Sequence, residues 1–192
     1  IINNFDTICI GMGLKNTENA KDLVSNVLKY AKGTVLIDAD GINALSSCIN
    51  LCKDTEAKVI LTPHPGEMSR LAGKTVAEIQ SDRITTVKDF AKEYGVTLVL
   101  KGANTVIATP KGEIYINSTG NSGLSRGGSG DVLSGIIASL SAQGLSPLVA
   151  CLVGVYIHGY TADKVANDSS KQGMLPTDVI NTLPYALGEL DN

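Results

Sequence analysis

A chain of 192 residues with a 43% hydrophobic fraction is sized for one domain that buries a substantial core. A formal net charge of −3, with Lys and Arg scattered and forming no basic run, argues against nucleic acid or an anionic membrane as the main partner. Twenty glycines against 4% aromatics, with no Trp, point to α/β loops that let backbone approach a ligand.

In chain order, the short apolar run Thr7 to Ile10 reads as a buried strand entering the turn Gly11-Met12-Gly13. A helix follows, with Thr17 as N-cap and Ala20, Leu23, Val24, Val27, Leu28 and Ala31 on one face; Gly33 closes it. Thr34 to Ile37 is the next strand and ends in Asp38-Ala39-Asp40. Residues 41–52 are expected to be helical, and Lys58 to Leu61 forms a third strand stopped by Thr62-Pro63-His64-Pro65-Gly66. A short helix is expected over 67–71. Thr75-Val76-Ala77-Glu78 has the spacing of a capping box and opens a helix to about Tyr94, ended by Gly95. Residues 96–100 form another strand, and residues 104–108 and 113–117 flank Pro110-Lys111-Gly112 as a hairpin. A Gly/Ser-rich loop over 118–130 leads into a helix from Asp131 to about Ala142. A mostly apolar helix starts at Pro147 after Ser146 and runs to about Val165, and a last helix over 177–187 contains Pro184. Strands alternating with helices predict a mainly parallel sheet, with ligands at the carboxyl ends of its strands.

Cys9, Cys48, Cys52 and Cys151 include one close pair, Cys48 and Cys52, whose spacing fits one helix face and which has no His near it in sequence. Reduced, partly buried thiols in a cytoplasmic protein are expected, and no zinc site. The first residues lack the basic-then-apolar pattern of a secretory signal, and the apolar run over 148–157 is too short to span a bilayer. A start at Ile1 reads as a fragment of a longer domain.

Two glycine motifs fail on inspection. Gly11-Met12-Gly13 lies between strand and helix as a dinucleotide-binding turn would, but Asn16 stands where the third glycine belongs. Gly73-Lys74-Thr75 resembles a P-loop end, yet Met68 replaces the required glycine and the segment follows a helix; Gly73 reads as a C-cap. The third motif, Gly127-Gly128-Ser129-Gly130-Asp131, is different. Four small residues at the mouth of a helix present free N–H groups and the positive end of the helix dipole, which suits a phosphate. Asp131 in the first turn can accept a hydroxyl proton during phosphoryl transfer; alternatively it satisfies helix-start N–H groups.

The run from Asn121 to Gly135 resembles the anion-hole and catalytic-aspartate motif of NAD(P)H-hydrate dehydratases, members of the ribokinase-like superfamily. Thr62-Pro63-His64-Pro65-Gly66-Glu67 is similar to the family's Thr-Pro-His-x-Gly-Glu motif. The stretch from Val35 to Leu45 resembles its Asp-Ala-Asp element, and Ile10 to Leu14 its Gly-Pro-Gly-Leu turn. Ser122 and Met12 stand where the family usually has proline. The resemblance implies a three-layer α/β/α sandwich with a mainly parallel sheet and a C-terminal hairpin and helix region. It also implies a single domain over residues 1–192 that lacks the family's N-terminal strands.

It further implies dehydration of hydrated NADH and NADPH back to the reduced nucleotides, a lyase reaction of metabolite repair. ADP or ATP is the co-substrate, Mg²⁺ the accompanying ion and the cytoplasm the expected place. Asp131 would act on the substrate hydroxyl, and Gly13, His64 and Asn43 would contact the substrate. Lys101, Gly102, Ala103, Asn104 and Thr105 would line the adenine nucleotide, with Gly127, Gly128, Ser129 and Gly130 at its phosphates. The alternative is a ribokinase-like small-molecule kinase that uses the same aspartate and stops after phosphorylation.

His64 directly follows a strand and is expected to bind rather than catalyse. Asp38 and Asp40 suit either ligand or Mg²⁺ contacts or helix caps, Asn43 either substrate or solvent, and Lys101 either nucleotide or surface. His158, in the apolar helix, reads as a satisfied core histidine. The apolar helix also suggests a homo-oligomer.

Overall fold

In the computed structural model, residues 2–15 and 17–190 are described. The first strand is β1 (Thr7–Ile10), followed by α1 (Glu18–Tyr30). The Thr17 hydroxyl accepts the Ala20 N–H at 3.2 Å, the cap its sequence position predicts. Ala20, Val24, Val27 and Leu28 are buried, whereas Leu23 flanks that stripe and is exposed. α1 ends at Ala31 rather than Gly33. Gly33 instead packs on Asp6, whose carbonyl oxygen would lie only 2.1 Å from an added Cβ.

Strand β2 (Thr34–Ile37) leads to α2 (Asp40–Leu45) and α3 (Leu51–Asp54). One helix was expected here; the Ser46 and Ser47 hydroxyls donate to the Asn43 and Ala44 carbonyls and compete with helix propagation. Cys48 falls in the intervening turn, so it shares no helix with Cys52. After β3 (Lys58–Leu61) comes α4 (Pro65–Ala72). The Thr75 capping box forms, but it opens only α5 (Val76–Ser81). Asp82, at φ −147 and ψ 74, interrupts the helix and caps α6 (Arg83–Tyr94) by accepting the Thr85 N–H at 3.0 Å. Gly95 closes α6, and β4 (Thr97–Leu100), β5 (Val106–Ala108) and β6 (Ile114–Ile116) complete the sheet. The C-terminal part is helical: α7 (Ser129–Ala142), α8 (Pro147–Asp168) and α9 (Pro176–Leu190). α9 continues through Pro184.

The strands lie in the order β1-β2-β3-β4-β5-β6, with β1 to β4 parallel and β5 and β6 added antiparallel as the predicted hairpin. Successive parallel strands step in one direction, so right-handed crossovers place their helices on one face. Strand side chains alternate accordingly. Val35, Ile37, Val59, Leu61, Leu98 and Leu100 pack against α1, α2, α4 and α6. Leu36, Ile60, Val99 and Ile107 face the other way, onto Leu133 and Ile137 of α7 and Ala150, Cys151 and Val155 of α8. The result is the expected α/β/α sandwich. No helix among the described residues is long and apolar enough to cross a membrane. All four cysteines are free; burial pushes Cys9 up to about 11 and Cys52 up to about 12, so both stay protonated thiols.

Candidate active site

A cavity of about 700 Å³ opens at the carboxyl ends of β2, β3 and β4, between the strand-end loops, the loop after β6 and the start of α7. The close approach of strand ends that shapes its floor needs Gly11. This residue sits at φ +130, and an added Cβ would fall 1.8 Å from the Asp38 carbonyl oxygen. The next residue at this corner, Ala39, is held at φ 51 and lines the cavity.

β3 delivers His64. Its side chain caps α4: Nδ1 accepts the N–H groups of Gly66 at 3.0 Å and Glu67 at 3.2 Å. In return the buried Glu67 carboxylate accepts the His64 N–H at 2.7 Å, and its other oxygen lies 3.3 Å from His64 Nε2. An accepting Nδ1 leaves the proton of the neutral ring on Nε2. Glu67, three residues along the chain, is thus the carboxylate partner of His64.

β4 delivers Lys101. Its ammonium lies 2.6 Å from Asp38 Oδ1 and 3.8 Å from Glu67 Oε2. Asp38 is only 1% exposed, and its second oxygen accepts the hydroxyl of the buried Ser134 at 2.7 Å. Asp38 therefore is not the cap of α2, whose N-cap, Ala39, has no side-chain bond. Asp40 instead accepts the Lys15 N–H at 2.8 Å. Behind the segment from Lys101 to Thr105, the Arg83 guanidinium donates to the Leu100 carbonyl at 3.1 Å.

The glycine-rich turn and α7 form the opposite wall. Gly128 is the N-cap of α7, at φ +93, and no side chain caps the helix. The Ser129 N–H donates to the Arg126 carbonyl at 3.2 Å and the Val132 N–H to the Gly128 carbonyl at 3.1 Å, so the Gly130 and Asp131 N–H groups between them are the helix-start donors that an anion in the cavity can use. Asp131 stands in that turn, exposed and on the cavity wall, and its carboxylate does not cap the helix. The preceding loop is fastened to α8: Asn121 Nδ2 donates to the Ala162 carbonyl at 3.0 Å and to Asp163 at 2.9 Å, and Gly120 N–H donates to Asp163 at 2.7 Å.

His64, Lys101, Gly102, Ala103, Asn104, Thr105, Gly127, Gly128, Ser129, Gly130 and Asp131 thus share one cavity. Gly13 and Asn43 do not line it: Gly13 lies exposed between β1 and α1, and Asn43 accepts from Arg70 Nε at 2.7 Å. Asn16, which breaks the dinucleotide fingerprint, lies outside the described residues. His158 corrects expectation. It is buried, yet Nε2 has no hydrogen-bond partner among the described residues, and the ring lines the cavity. Burial pushes its pKa down to about 4, opposed only in part by contact with the Ser129 backbone. Glu67 and His158 line the cavity, while Asp163 and Arg83 hold its loops from behind; sequence reasoning gave none of the four a place in the site, and only Glu67 carried a local signal, the capping-box spacing from His64.

The model of the NAD(P)H-hydrate dehydratase family matches residues 1–185. A bifunctional NAD(P)H-hydrate repair enzyme of Moorella thermoacetica is 44% identical over 186 residues, which are 97% of this chain and 35% of that protein. The ADP/ATP-dependent NAD(P)H-hydrate dehydratase of Bacillus subtilis, co-crystallized with ATP and Mg²⁺, superposes with a TM-score of 0.87 at 36% identity. That match covers 96% of this chain and 64% of the neighbour. A ribokinase-like superfamily protein of Enterococcus faecalis superposes at 0.82 with 30% identity, over 98% and 64% of the two chains. The chain thus spans about a third of the repair enzyme's length and about two-thirds of these solved structures. With the family model matched over residues 1–185 and the fold shared with these solved structures, the chain belongs to the NAD(P)H-hydrate dehydratase family.

Proposed function

We propose that this chain carries out the nucleotide-dependent dehydration of hydrated NADH and NADPH, with Asp131 as its catalytic residue. The observation that carries this reading is the exposed Asp131 carboxylate beside an uncapped helix start, in one cavity with His64 and the 101–105 segment. The turn from Gly127 to Gly130 holds the nucleotide's phosphates through backbone N–H groups and the helix dipole. The segment from Lys101 to Thr105 lines the rest of the nucleotide. His64 binds the hydrated nicotinamide nucleotide, its ring fixed by the α4 cap; Gly13 and Asn43, outside the cavity wall, are assigned to the outer reach of that dinucleotide.

Asp131 takes the proton of the substrate hydroxyl as that oxygen attacks the terminal phosphorus of ADP or ATP. A new P–O bond forms and the bridging P–O bond of the nucleotide breaks. Phosphate then leaves with the C–O bond pair, and the neighbouring ring carbon loses a proton, which restores the double bond. The nucleotide ends one phosphate shorter, and inorganic phosphate is released.

Mg²⁺ fits this site as an ion carried by the nucleotide. Among the described residues no group of three or more His, Cys, Asp or Glu could hold a metal, and a nucleotide-borne Mg²⁺ needs only one or two protein carboxylates. Asp131 is the carboxylate placed to meet it. When bound, the ion neutralises phosphate charge.

Residues 1–192 act as a single ribokinase-like domain in the cytoplasm. The exposed apolar residues Val149, Val153 and Tyr156 on α8 support a homo-oligomer. The test is stoichiometry: with hydrated NADH and ADP or ATP, one inorganic phosphate should appear for each dihydronicotinamide regained. A stable phosphorylated product without regained absorbance would establish the kinase alternative instead.

A further inference from the structure

Lys101 lies between two buried carboxylates that could otherwise serve a cation. Its ammonium has three donors, and the side chain as a whole is 20% exposed. Asp38 takes one donor at 2.6 Å, Glu67 stands near a second at 3.8 Å, and the third remains for a ligand. The ammonium also lies under the anion turn: an added Cβ on Gly130 would sit 3.5 Å from Lys101 Nζ and 3.7 Å from Asp38 Oδ2. Ser134, on the second turn of α7, fixes the other Asp38 oxygen at 2.7 Å. The network therefore joins the end of β2, the end of β4 and the helix that carries the anion turn.

A lysine stem has four rotatable bonds and holds no fixed direction by itself, so its charge acts at a defined point only where a partner pins it. A charge-assisted bond to a buried carboxylate does so. We infer that Asp38 is a positioning residue: together with Ser134 it holds the Lys101 ammonium beneath the glycine turn, where the ammonium, and not a metal bound by these carboxylates, meets the nucleotide's phosphates. This rests on the nucleotide-binding reading of the same cavity. Neither Asp38 nor Ser134 touches the phosphate; both act through Lys101.

Calorimetric titration of the full chain with ADP, across a series of Mg²⁺ concentrations, tests the inference. Asp38→Asn should weaken ADP by about tenfold or more, as expected when one partner of a buried charge pair is removed. Ser134→Ala, which keeps the charge, should weaken it by about threefold. The Mg²⁺ dependence of wild type and variants should run parallel. Lys101→Met should reproduce the Asp38→Asn loss, and in that background neither Asp38→Asn nor Ser134→Ala should cost anything further. Should Asp38→Asn fail to fold, as circular dichroism would reveal, the Ser134→Ala pair carries the same test. Full additivity of the losses, or rescue of Asp38→Asn by high Mg²⁺, would overturn the inference and make Asp38 an independent or metal-binding residue. Wild-type affinity in both Asp38→Asn and Ser134→Ala would overturn it while leaving the nucleotide reading intact. Absence of ADP binding by the wild type at every Mg²⁺ concentration would overturn that reading and the inference with it.

Discussion

Burial keeps the His158 imidazole neutral, since a charged ring there would lose its hydration without gaining a carboxylate. The ordinary value of 6.5 falls to about 4. As pH drops, the unfolded chain therefore takes up its proton first. The stability this group contributes is complete above pH 6.5 and is lost as pH falls from 6.5 toward 4. The loss amounts to at most roughly 3 kcal/mol. Urea unfolding of His158→Asn should accordingly show a shallower decline between pH 6.5 and 4.5 than the wild type; parallel curves would contradict the assignment. The pairing of Asp38 with Lys101 and Ser134 joins positions 63 and 96 residues apart and leaves no local pattern in the sequence. Asp131 was legible because its signal is local: small residues at the entrance of an amphipathic helix.

At the scale of elements, the strands were legible because each is a short apolar run ending in turn residues, and a parallel strand covered on both faces needs nothing else. Helix ends were less so. The capping box at Thr75 was visible, but the 75–94 helix is interrupted where Asp82 starts a second cap, a Ser-Asp signal overridden by the longer apolar period. The contact between α7 and α8 packs the helix that begins at the glycine turn against its neighbour. It depends on Gly154, where an added Cβ would lie 2.7 Å from Ile137 Cγ1. Gly154→Ala should cost about 1–3 kcal/mol through overpacking. In thermal unfolding the midpoint should drop by several degrees, and ADP affinity should fall with it if the helices separate. An unchanged midpoint would mean that this contact is slack.

For the molecule as a whole, the parallel direction of β1 to β4 places their strand-end loops at one edge, and the C-terminal helices close the second face while supplying the glycine turn. That architecture follows from alternating strands and helices together with the handedness of crossovers. What the sequence left open was which loops converge: Gly13 and Asn43 belong to the matching motifs, yet they stand outside the wall that the 101–105 segment shares with the glycine turn. A ligand that binds only the folded chain stabilises it by mass action. ADP at a hundredfold excess over its dissociation constant should therefore add about 2.7 kcal/mol and raise the unfolding midpoint by roughly 5–10 °C. A midpoint indifferent to ADP would remove the nucleotide site.

The most direct measurement mixes the chain with hydrated NADH, Mg²⁺ and ADP or ATP and follows the dihydronicotinamide absorbance, with Asp131→Asn alongside. The proposed chemistry predicts regain that requires the nucleotide and falls by about a hundredfold or more in the variant, the scale of lost general-base catalysis. Regain that persists undiminished in Asp131→Asn, or that proceeds without nucleotide, would contradict it.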